Sequence, residues 1–241
     1  AVALCLSGRT SRHGGVAPVT SRACSRAMST FKVNKEIISD TKDYSSLSNY
    51  DEIIVKHQAF ELEVDFDTST LAGTGTYTVE ATCNGVNEVV LDTRDLTIRG
   101  VTASSAPTFE PVSCSFTLTP HDECFGRALN IALPQALKEG GSVVVMVNYT
   151  TSPDSSAIQW LPPAQTAGKV HPYLFTQCQA IHARSMVPCI DAPGHKSTYS
   201  ASVTAPAWAT VLMSAVPDGE PSEIIDGKRV HKWSQPVACS S

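Results

Sequence analysis

The chain has 241 residues, of which 42% are hydrophobic and 17% are charged, and its formal net charge is −5. This composition is typical of a globular protein with enough apolar side chains for one large domain. No apolar run approaches the roughly 20 residues that a membrane-spanning helix needs, so we expect no membrane partner. An acidic excess without a basic stripe also argues against nucleic acid as a partner.

The beginning of the chain differs from the remainder in charge. Residues 1–35 contain six basic residues, and all 23 acidic residues lie beyond them. A basic, serine-rich, acid-free leader is typical of a mitochondrial or plastid presequence, and the alternative is sequence upstream of a true start at Met28. We expect a disordered or targeting-like tail over residues 1–50. We expect a cytoplasmic protein, unless residues 1–35 direct it to a mitochondrion or a plastid.

The eight cysteines form an even number but are scattered along the chain. There is no CxxC pair and no Cys/His pair with zinc-finger spacing. A domain of this size does not need disulfides for stability, so we expect mostly buried thiols in a reducing compartment. The alternative is a disulfide-built secreted receptor domain.

Strand patterns begin after the tail. Between residues 60 and 66, Phe, Leu, Val and Phe alternate with acidic residues, which predicts a strand with one wet face. The run LAGTGTYTVEATC follows a short turn and predicts a hairpin with that strand. Further strand-like runs are EVVLDTRDLTIRGV, SCSFTLTP, RALNIALPQAL, GGSVVVMVNYTT and STYSASVTAPAWATVLMSA.

The end of the chain predicts a last hairpin, with Asp226-Gly227 as its turn. No convincing helix of three turns is present. The residues therefore predict an all-β domain over 51–241, with a long irregular excursion after Pro153 of the kind that covers or binds something.

Within that excursion, the stretch FTQCQAIHARSMVPCIDAPGHKSTY is the part of the chain densest in reactive groups. A cysteine nucleophile would need His182 within reach of Cys178. In an extended segment the two residues lie about 13 Å apart, so a structural cysteine is favoured and no catalytic residue is predicted.

The stretch also holds residue types that ligate metals. The chain lacks H-E-x-x-H, the helical arrangement that places two imidazoles on one face, and His121-Asp122-Glu123 has the wrong spacing. We therefore predict no metal site within this chain. The residues weighed for such a site were His171, Cys178, His182, Cys189, Asp191 and His195.

Three polar side chains remain in the stretch. Asp191 precedes Ala-Pro, and we expect a structural salt bridge to Arg184 or Lys196 in preference to acid–base work. Gln177 and Gln179 share one face of an extended segment, with Cys178 on the other. Amides suit the orientation of a polar substrate but not the breaking of a bond. Spacing alone favours the alternative of two surface glutamines.

Several segments of the chain resemble the leukotriene A(4) hydrolase and bifunctional aminopeptidase family of gluzincin zinc peptidases. They are TQCQAIHARS, PCIDAP with the Lys and Tyr that follow it, FELEVDFDTSTLAGTGTYTVEA and EVVLDTRDLTIRGV. The resemblance covers residues 54–233 and concerns the N-terminal domain. It implies a saddle-shaped, mostly antiparallel, β-sandwich-like domain lying over a thermolysin-like catalytic domain.

The resemblance also implies a substrate-binding role for Gln177, Cys178 and Gln179, with Gln179 holding the N-terminal end of a peptide. The family's G-x-M-E-N and H-E-x-x-H motifs do not occur before Ser241, so the zinc expected in the full-length enzyme would belong to the missing catalytic domain. We expect the domain to position peptide substrates for an aminopeptidase, with epoxide hydrolysis as a further family activity, and to be inactive alone. The alternative is a non-catalytic peptide-binding or interaction domain.

Overall fold

The computed structural model describes residues 43–105 and 110–241, together with the strand at residues 4–8. The described part is almost entirely β-structure, so the all-β prediction is confirmed. Its two short 3-10 helices are Pro163–Gln165 and Ala183–Ser185. The strands are β1 Leu4–Gly8, β2 Ile53–Asp65, β3 Thr70–Ala81, β4 Val86–Thr93, β5 Thr97–Ser104, β6 Val112–Ser113, β7 Phe116–Leu118, β8 Arg127–Leu137, β9 Ser142–Thr150, β10 Ile158–Leu161, β11 Tyr173–Thr176, β12 Ser197–Pro206, β13 Ala209–Met213, β14 Val216–Pro217 and β15 Lys228–Cys239.

These strands form three sheets. The eight-stranded sheet has the order β14-β15-β12-β2-β3-β9-β5-β6, the four-stranded sheet β10-β11-β1-β13, and the three-stranded sheet β4-β8-β7. Pairing is antiparallel except between β12 and β2, which run parallel. The sheets enclose one core of buried aliphatic and aromatic side chains drawn from all three.

The first predicted hairpin is present. In β2, Phe60, Leu62 and Val64 are at most 2% exposed, while the acidic residues between them face outward. Strand β3 pairs with β2 along its whole length, from Ile53 opposite Ala81 to Asp65 opposite Thr70. Alternating polarity therefore predicted both the strand and its buried face correctly.

One further strand run and the last predicted hairpin correspond to the structure only in part. The run EVVLDTRDLTIRGV divides into β4 and β5, which belong to different sheets and are separated by Asp95 with a φ of 54°. At the end of the chain, Asp226 and Gly227 have φ values of 49° and 75°, as a two-residue type I′ turn requires. Ile225 and Lys228 pair across this turn with two hydrogen bonds of 3.0 Å, whereas the remainder of β15 pairs mainly with β12.

Ordered packing begins earlier than residue 51. Strand β1 pairs with β11 and β13, and the side chains of Ser46 and Ser48 are buried. Residues 9–42, which hold most of the predicted tail, lie outside the described residues. The excursion after Pro153 is irregular but includes two short paired strands, β10 and β11.

A buried guanidinium joins these elements. Arg184 is 0% exposed, and its Nε donates to Oδ2 of Asp191 at 3.0 Å. Its Nη1 donates to the Phe125 carbonyl at 2.9 Å and lies 3.7 Å from Oδ1 of Asp92. The predicted salt bridge of Asp191 is thus confirmed with Arg184, whereas Lys196 is exposed.

Asp92 is the second carboxylate of this cluster and was not anticipated from the sequence. It is 0% exposed and accepts from the Ser46 hydroxyl and the Leu47 backbone N–H, each at 2.6 Å. It also accepts from the backbone N–H of Asp191 at 3.0 Å. Burial raises the pKa of Asp191, and Arg184 opposes that rise. The cluster therefore ties residues 46–47, strand β4 and the dense stretch together.

His195 forms a separate buried contact. The backbone N–H of Val55 donates to its Nε2 at 3.0 Å, which requires a neutral ring with the proton on Nδ1. Burial lowers the pKa of His195 below its usual value of 6.5. Protonation would remove this acceptor and place a positive charge in a buried site.

The Arg184 cluster generates a stability prediction. Arg184→Met leaves two buried carboxylates without their cation, so we expect a loss of about 3–5 kcal/mol in the free energy of unfolding. Arg99→Met is the matched control, since Arg99 is exposed, and we expect a change within about 0.5 kcal/mol. Urea titration followed by circular dichroism measures both. Equal losses in the two variants would contradict the role given to the cluster.

His195 generates a pH prediction. Because its pKa is lower in the folded state than in the unfolded state, the unfolded chain binds the extra proton first as the pH falls below 6.5. Folding stability from His195 is complete above that pH and decreases as the pH falls. His195→Gln keeps an acceptor that does not titrate, so the urea midpoint should depend less on pH than in the unaltered chain. If the urea midpoints of the two proteins depend on pH in the same way, His195 does not cause the pH dependence of stability.

Candidate functional site

The glutamine segment is a turn and not the extended strand assumed from the sequence. Strand β11 ends at Thr176, and the His182 N–H donates to the Cys178 carbonyl at 2.8 Å. The Gln179–Ala180 peptide bond is cis. Gln177, Gln179 and Ala180 are exposed, whereas Cys178 is buried. The predicted division of faces therefore holds, although a turn produces it.

The two glutamines do different work within this turn. Oε1 of Gln177 accepts from the backbone N–H of Gln179 at 3.0 Å, so the Gln177 amide shapes the turn. The side-chain amide of Gln179 makes no hydrogen bond within the described part of the chain and is exposed. Gln179 therefore offers both a donor and an acceptor to a polar ligand.

The turn is fixed at both ends to the segment before β10. The Gln177 N–H donates to the Ala157 carbonyl at 2.9 Å. At the other end, Nδ1 of His182 lies 2.8 Å from Oγ of Ser156, and Ser185 Oγ donates to the His182 carbonyl at 2.8 Å. No sequence pattern predicts this contact, since Ser156 lies in the excursion after Pro153 that was expected to be irregular.

Ser185 also connects the turn to the buried guanidinium. Its hydroxyl accepts from the Ala157 N–H at 3.0 Å, and it is the neighbour of Arg184 in the 3-10 helix Ala183–Ser185. The exposed amides are therefore held by a chain of hydrogen bonds that begins in the core.

The structure gives no support to a cysteine nucleophile. Burial, followed by the charge of Asp191, raises the pKa of Cys178 to about 11, so its thiol is protonated near neutral pH. His182 hydrogen-bonds to Ser156 instead. Six cysteines carry thiols in the described part: Cys83, Cys114, Cys124, Cys178, Cys189 and Cys239.

The residues weighed as metal ligands are engaged elsewhere. His171 stacks on Trp208, with ring centroids 4.3 Å apart, and His195 binds the Val55 N–H. Asp122 accepts from two backbone N–H groups of its own turn, which lower its pKa. Within residues 43–105 and 110–241, no three His, Cys, Asp or Glu side chains are grouped as a metal site requires. Nor does any helix of that part have the length and hydropathy to span a membrane.

Comparison with known proteins agrees with this fold. The model of the peptidase M1 N-terminal domain family matches residues 48–241. Leukotriene A-4 hydrolase of Xenopus laevis is 40% identical over 200 residues, which are 83% of this chain and 32% of that protein. Leucine aminopeptidase 2 of Neurospora crassa is 34% identical over 201 residues, covering 83% of this chain and 29% of that protein.

Solved structures give the same result. Yeast LTA4 hydrolase in complex with bestatin superposes with a TM-score of 0.68 at 30% identity, over 84% of this chain and 29% of that one. The M1 zinc metallopeptidase of Deinococcus radiodurans has a TM-score of 0.60 at 18% identity, over 78% of this chain and 40% of that one, and shows the shared fold alone. The chain spans about a third of the length of these curated relatives. It belongs to the peptidase M1 N-terminal domain family.

Proposed function

We propose that this chain is the substrate-positioning domain of a leukotriene A(4) hydrolase-like zinc aminopeptidase, and that Gln179 holds the N-terminal end of the peptide substrate. One observation carries the proposal: in a chain of this family, an anchored turn exposes an amide that has no partner within the described residues. A neutral amide binds either a donor or an acceptor and keeps its charge state near neutral pH.

In this proposal the three predicted binding residues have different roles. Gln179 contacts the substrate, Gln177 sets the shape of the turn, and Cys178 packs beneath it as a buried thiol. Peptides are therefore the partner of this surface, and the catalytic domain is the partner that supplies the bond-breaking groups. The location proposed for the enzyme is the cytoplasm, where free thiols such as those of the described cysteines persist.

Zinc belongs to the proposal only through the whole enzyme. The His, Cys and Asp side chains weighed as ligands are committed to stacking, backbone contacts and the Arg184 cluster, so the described residues of this chain do not fit the ion. The zinc would be held by the catalytic domain. What this chain contributes is the orientation of the peptide end.

The role of Gln179 is tested in the longer enzyme that contains both domains. Gln179→Ala removes hydrogen bonds to the substrate. We therefore expect kcat/KM for dipeptide amides to fall by the factor that corresponds to a loss of about 1–3 kcal/mol in transition-state stabilisation. Gln165→Ala is the matched control, because Gln165 is also exposed but lies in the other 3-10 helix. An unchanged kcat/KM in Gln179→Ala would remove this residue from the binding site.

Gln177→Glu tests the division of roles. The variant keeps the acceptor that receives the Gln179 N–H, so the turn should survive, whereas Gln177→Met lacks it and should shift the Gln179 amide resonance in a ¹H–¹⁵N spectrum. Identical spectra for the two variants would show that the Gln177 oxygen does not shape the turn.

The isolated chain should not release p-nitroaniline from an aminoacyl p-nitroanilide above the rate in buffer. The exposed groups of the turn are neutral amides and the thiol beside them is protonated, so nothing there can attack a carbonyl. The Gln179→Ala variant, purified in parallel by the same procedure, is the control for contaminating peptidases. Turnover that co-purifies with the chain and is lost in the variant would refute the positioning role.

A further inference from the structure

The glutamine turn, residues 177–182, carries a second polar group that reaches solvent. His182 lies three positions after Gln179 and closes the turn, since its N–H donates to the Cys178 carbonyl at 2.8 Å. Its ring is half-buried, and Nδ1 lies 2.8 Å from Oγ of Ser156. The other ring nitrogen, Nε2, is not enclosed and has no hydrogen-bond partner within the described part of the chain. A ligand at the turn can therefore approach it.

Three serine hydroxyls beside the ring determine which ring nitrogen carries the proton. The Ser185 hydroxyl donates to the His182 carbonyl at 2.8 Å, so its oxygen can only accept from other groups. The Ser155 hydroxyl donates to the Ser185 carbonyl at 2.8 Å. Ser156 Oγ lies 3.2 Å from Ser185 Oγ, and the proton of this hydrogen bond comes from Ser156. The Ser156 oxygen then has only lone pairs left for His182.

The direction of the contact between Ser156 and His182 follows from this arrangement. Because Ser156 has already donated its proton, the Nδ1–H of the ring donates to Ser156 Oγ. A neutral imidazole with its proton on Nδ1 has a lone pair on Nε2, so the accessible nitrogen is a hydrogen-bond acceptor. The opposite tautomer would take the Ser156 proton for Nδ1 and leave the contact between the Ser156 and Ser185 hydroxyls without one.

The support behind this acceptor is anchored in the core. Ser155 and Ser185 are 5% and 1% exposed, and the Ala157 N–H also donates to Ser185 Oγ, at 3.0 Å. Ser156 itself is exposed, so it can be replaced without opening the core. An acceptor whose ring is already oriented loses little conformational freedom when a ligand binds.

We propose that His182 is a second substrate-binding residue of the glutamine turn, and that its Nε2 accepts a hydrogen bond from the amino group of the peptide's N-terminal residue. The inference rests on the proposed function, because it assigns a second contact to the same end of the same substrate. A protonated amino group offers donors and no acceptor, so an acceptor is the group that fits it. Ser156 is a positioning residue, since it acts on the substrate only through the ring.

Asparagine and glutamine separate the two nitrogens of His182. An Asn amide lies where Nδ1 lies and can still bond to Ser156, but it has no group at the place of Nε2. A Gln amide reaches the place of Nε2 and leaves that of Nδ1 empty. In the longer enzyme that contains both domains, we expect His182→Asn to raise KM for dipeptide amides about 3–10-fold with little change in kcat, because a contact of the bound substrate is lost. His182→Gln should raise KM less.

A matched variant and a spectrum control for unrelated effects. His121→Asn makes the same change on an exposed histidine outside the turn and should leave KM unaltered. In a ¹H–¹⁵N spectrum of the isolated chain, the Gln179 amide signal should keep its position in His182→Asn, which retains the bond to Ser156. Whether or not His182→Asn folds, the tautomer of the ring in the unaltered chain tests the acceptor directly.

The tautomer is measured in the isolated chain with ¹⁵N-labelled histidine, because ring nitrogens with and without a proton have distinct ¹⁵N shifts. The His182 signals are those that His182→Gln lacks, and we expect the proton of the neutral ring on Nδ1. Ser156→Ala should shift both ring signals, and Ser156→Thr, which keeps the hydroxyl, should restore them. Ser152→Ala is the control in the same segment, since the Ser152 hydroxyl accepts from the Asp154 N–H, and it should leave both signals unaltered.

Two results would overturn the inference. The first is a proton on Nε2 in the neutral ring of the unaltered chain, and the second is an unaltered KM in His182→Asn. Failure of the proposed function gives a different pattern, because Gln179→Ala would then also leave kcat/KM unaltered. If Gln179→Ala lowers kcat/KM and His182→Asn does not, the positioning function stands and the second contact is refuted.

Discussion

The guanidinium of Arg184 imposes the main constraint on this fold. A guanidinium remains charged at any physiological pH, so its complete burial requires negative charge and acceptors around it. Asp191 comes from the same loop, but Asp92 comes from strand β4 and the Phe125 carbonyl from the segment before β8. Elements distant in sequence must therefore meet at one point before the charge is satisfied.

Asp92 extends that constraint toward the beginning of the chain. A carboxylate with no exposure needs more donors than one guanidinium supplies, and the Ser46 hydroxyl and Leu47 N–H provide them. Polar residues that look like a solvated segment are buried as a result. The adjacent Ser185 then transmits the position of Arg184 to the glutamine turn, so the exposed amides are fixed by a charge that no ligand reaches.

Local patterns in the sequence predicted local structure well. Alternation between residues 60 and 66 specified β2 and its buried face, and Asp226-Gly227 specified a turn with two positive φ values. These features depend on a few neighbouring residues and on backbone sterics, which a sequence displays directly. The buried position of Cys178 and the pairing of Asp191 with Arg184 were predicted for the same reason, since the residues involved lie close together.

Features that depend on distant partners could not be predicted in this way. Nothing near Asp92 shows that it lies beside Arg184, 92 positions later in the chain, and nothing near EVVLDTRDLTIRGV shows that its halves enter different sheets. The turn at Gln177 was missed because period-2 spacing cannot distinguish a strand from a turn that exposes the same side chains. The separate roles of the glutamines follow from a single backbone contact, which no residue pattern encodes.

Satisfaction of hydrogen bonds separates polar groups that build this fold from those available to ligands. The charged groups of the Arg184 cluster are buried and bond to one another and to the backbone, so they hold the fold together and do not meet solvent. Gln179 is unpartnered but exposed, where water satisfies it at little cost until a peptide replaces the water. The side-chain nitrogens of Arg229, His231 and Trp233 on β15 are enclosed and unpartnered within the described residues, as is the Tyr149 hydroxyl, so a ligand does not reach them from solvent. An unsatisfied group that is enclosed is therefore a local cost of packing, whereas an exposed and unpartnered amide can exchange its water for a ligand.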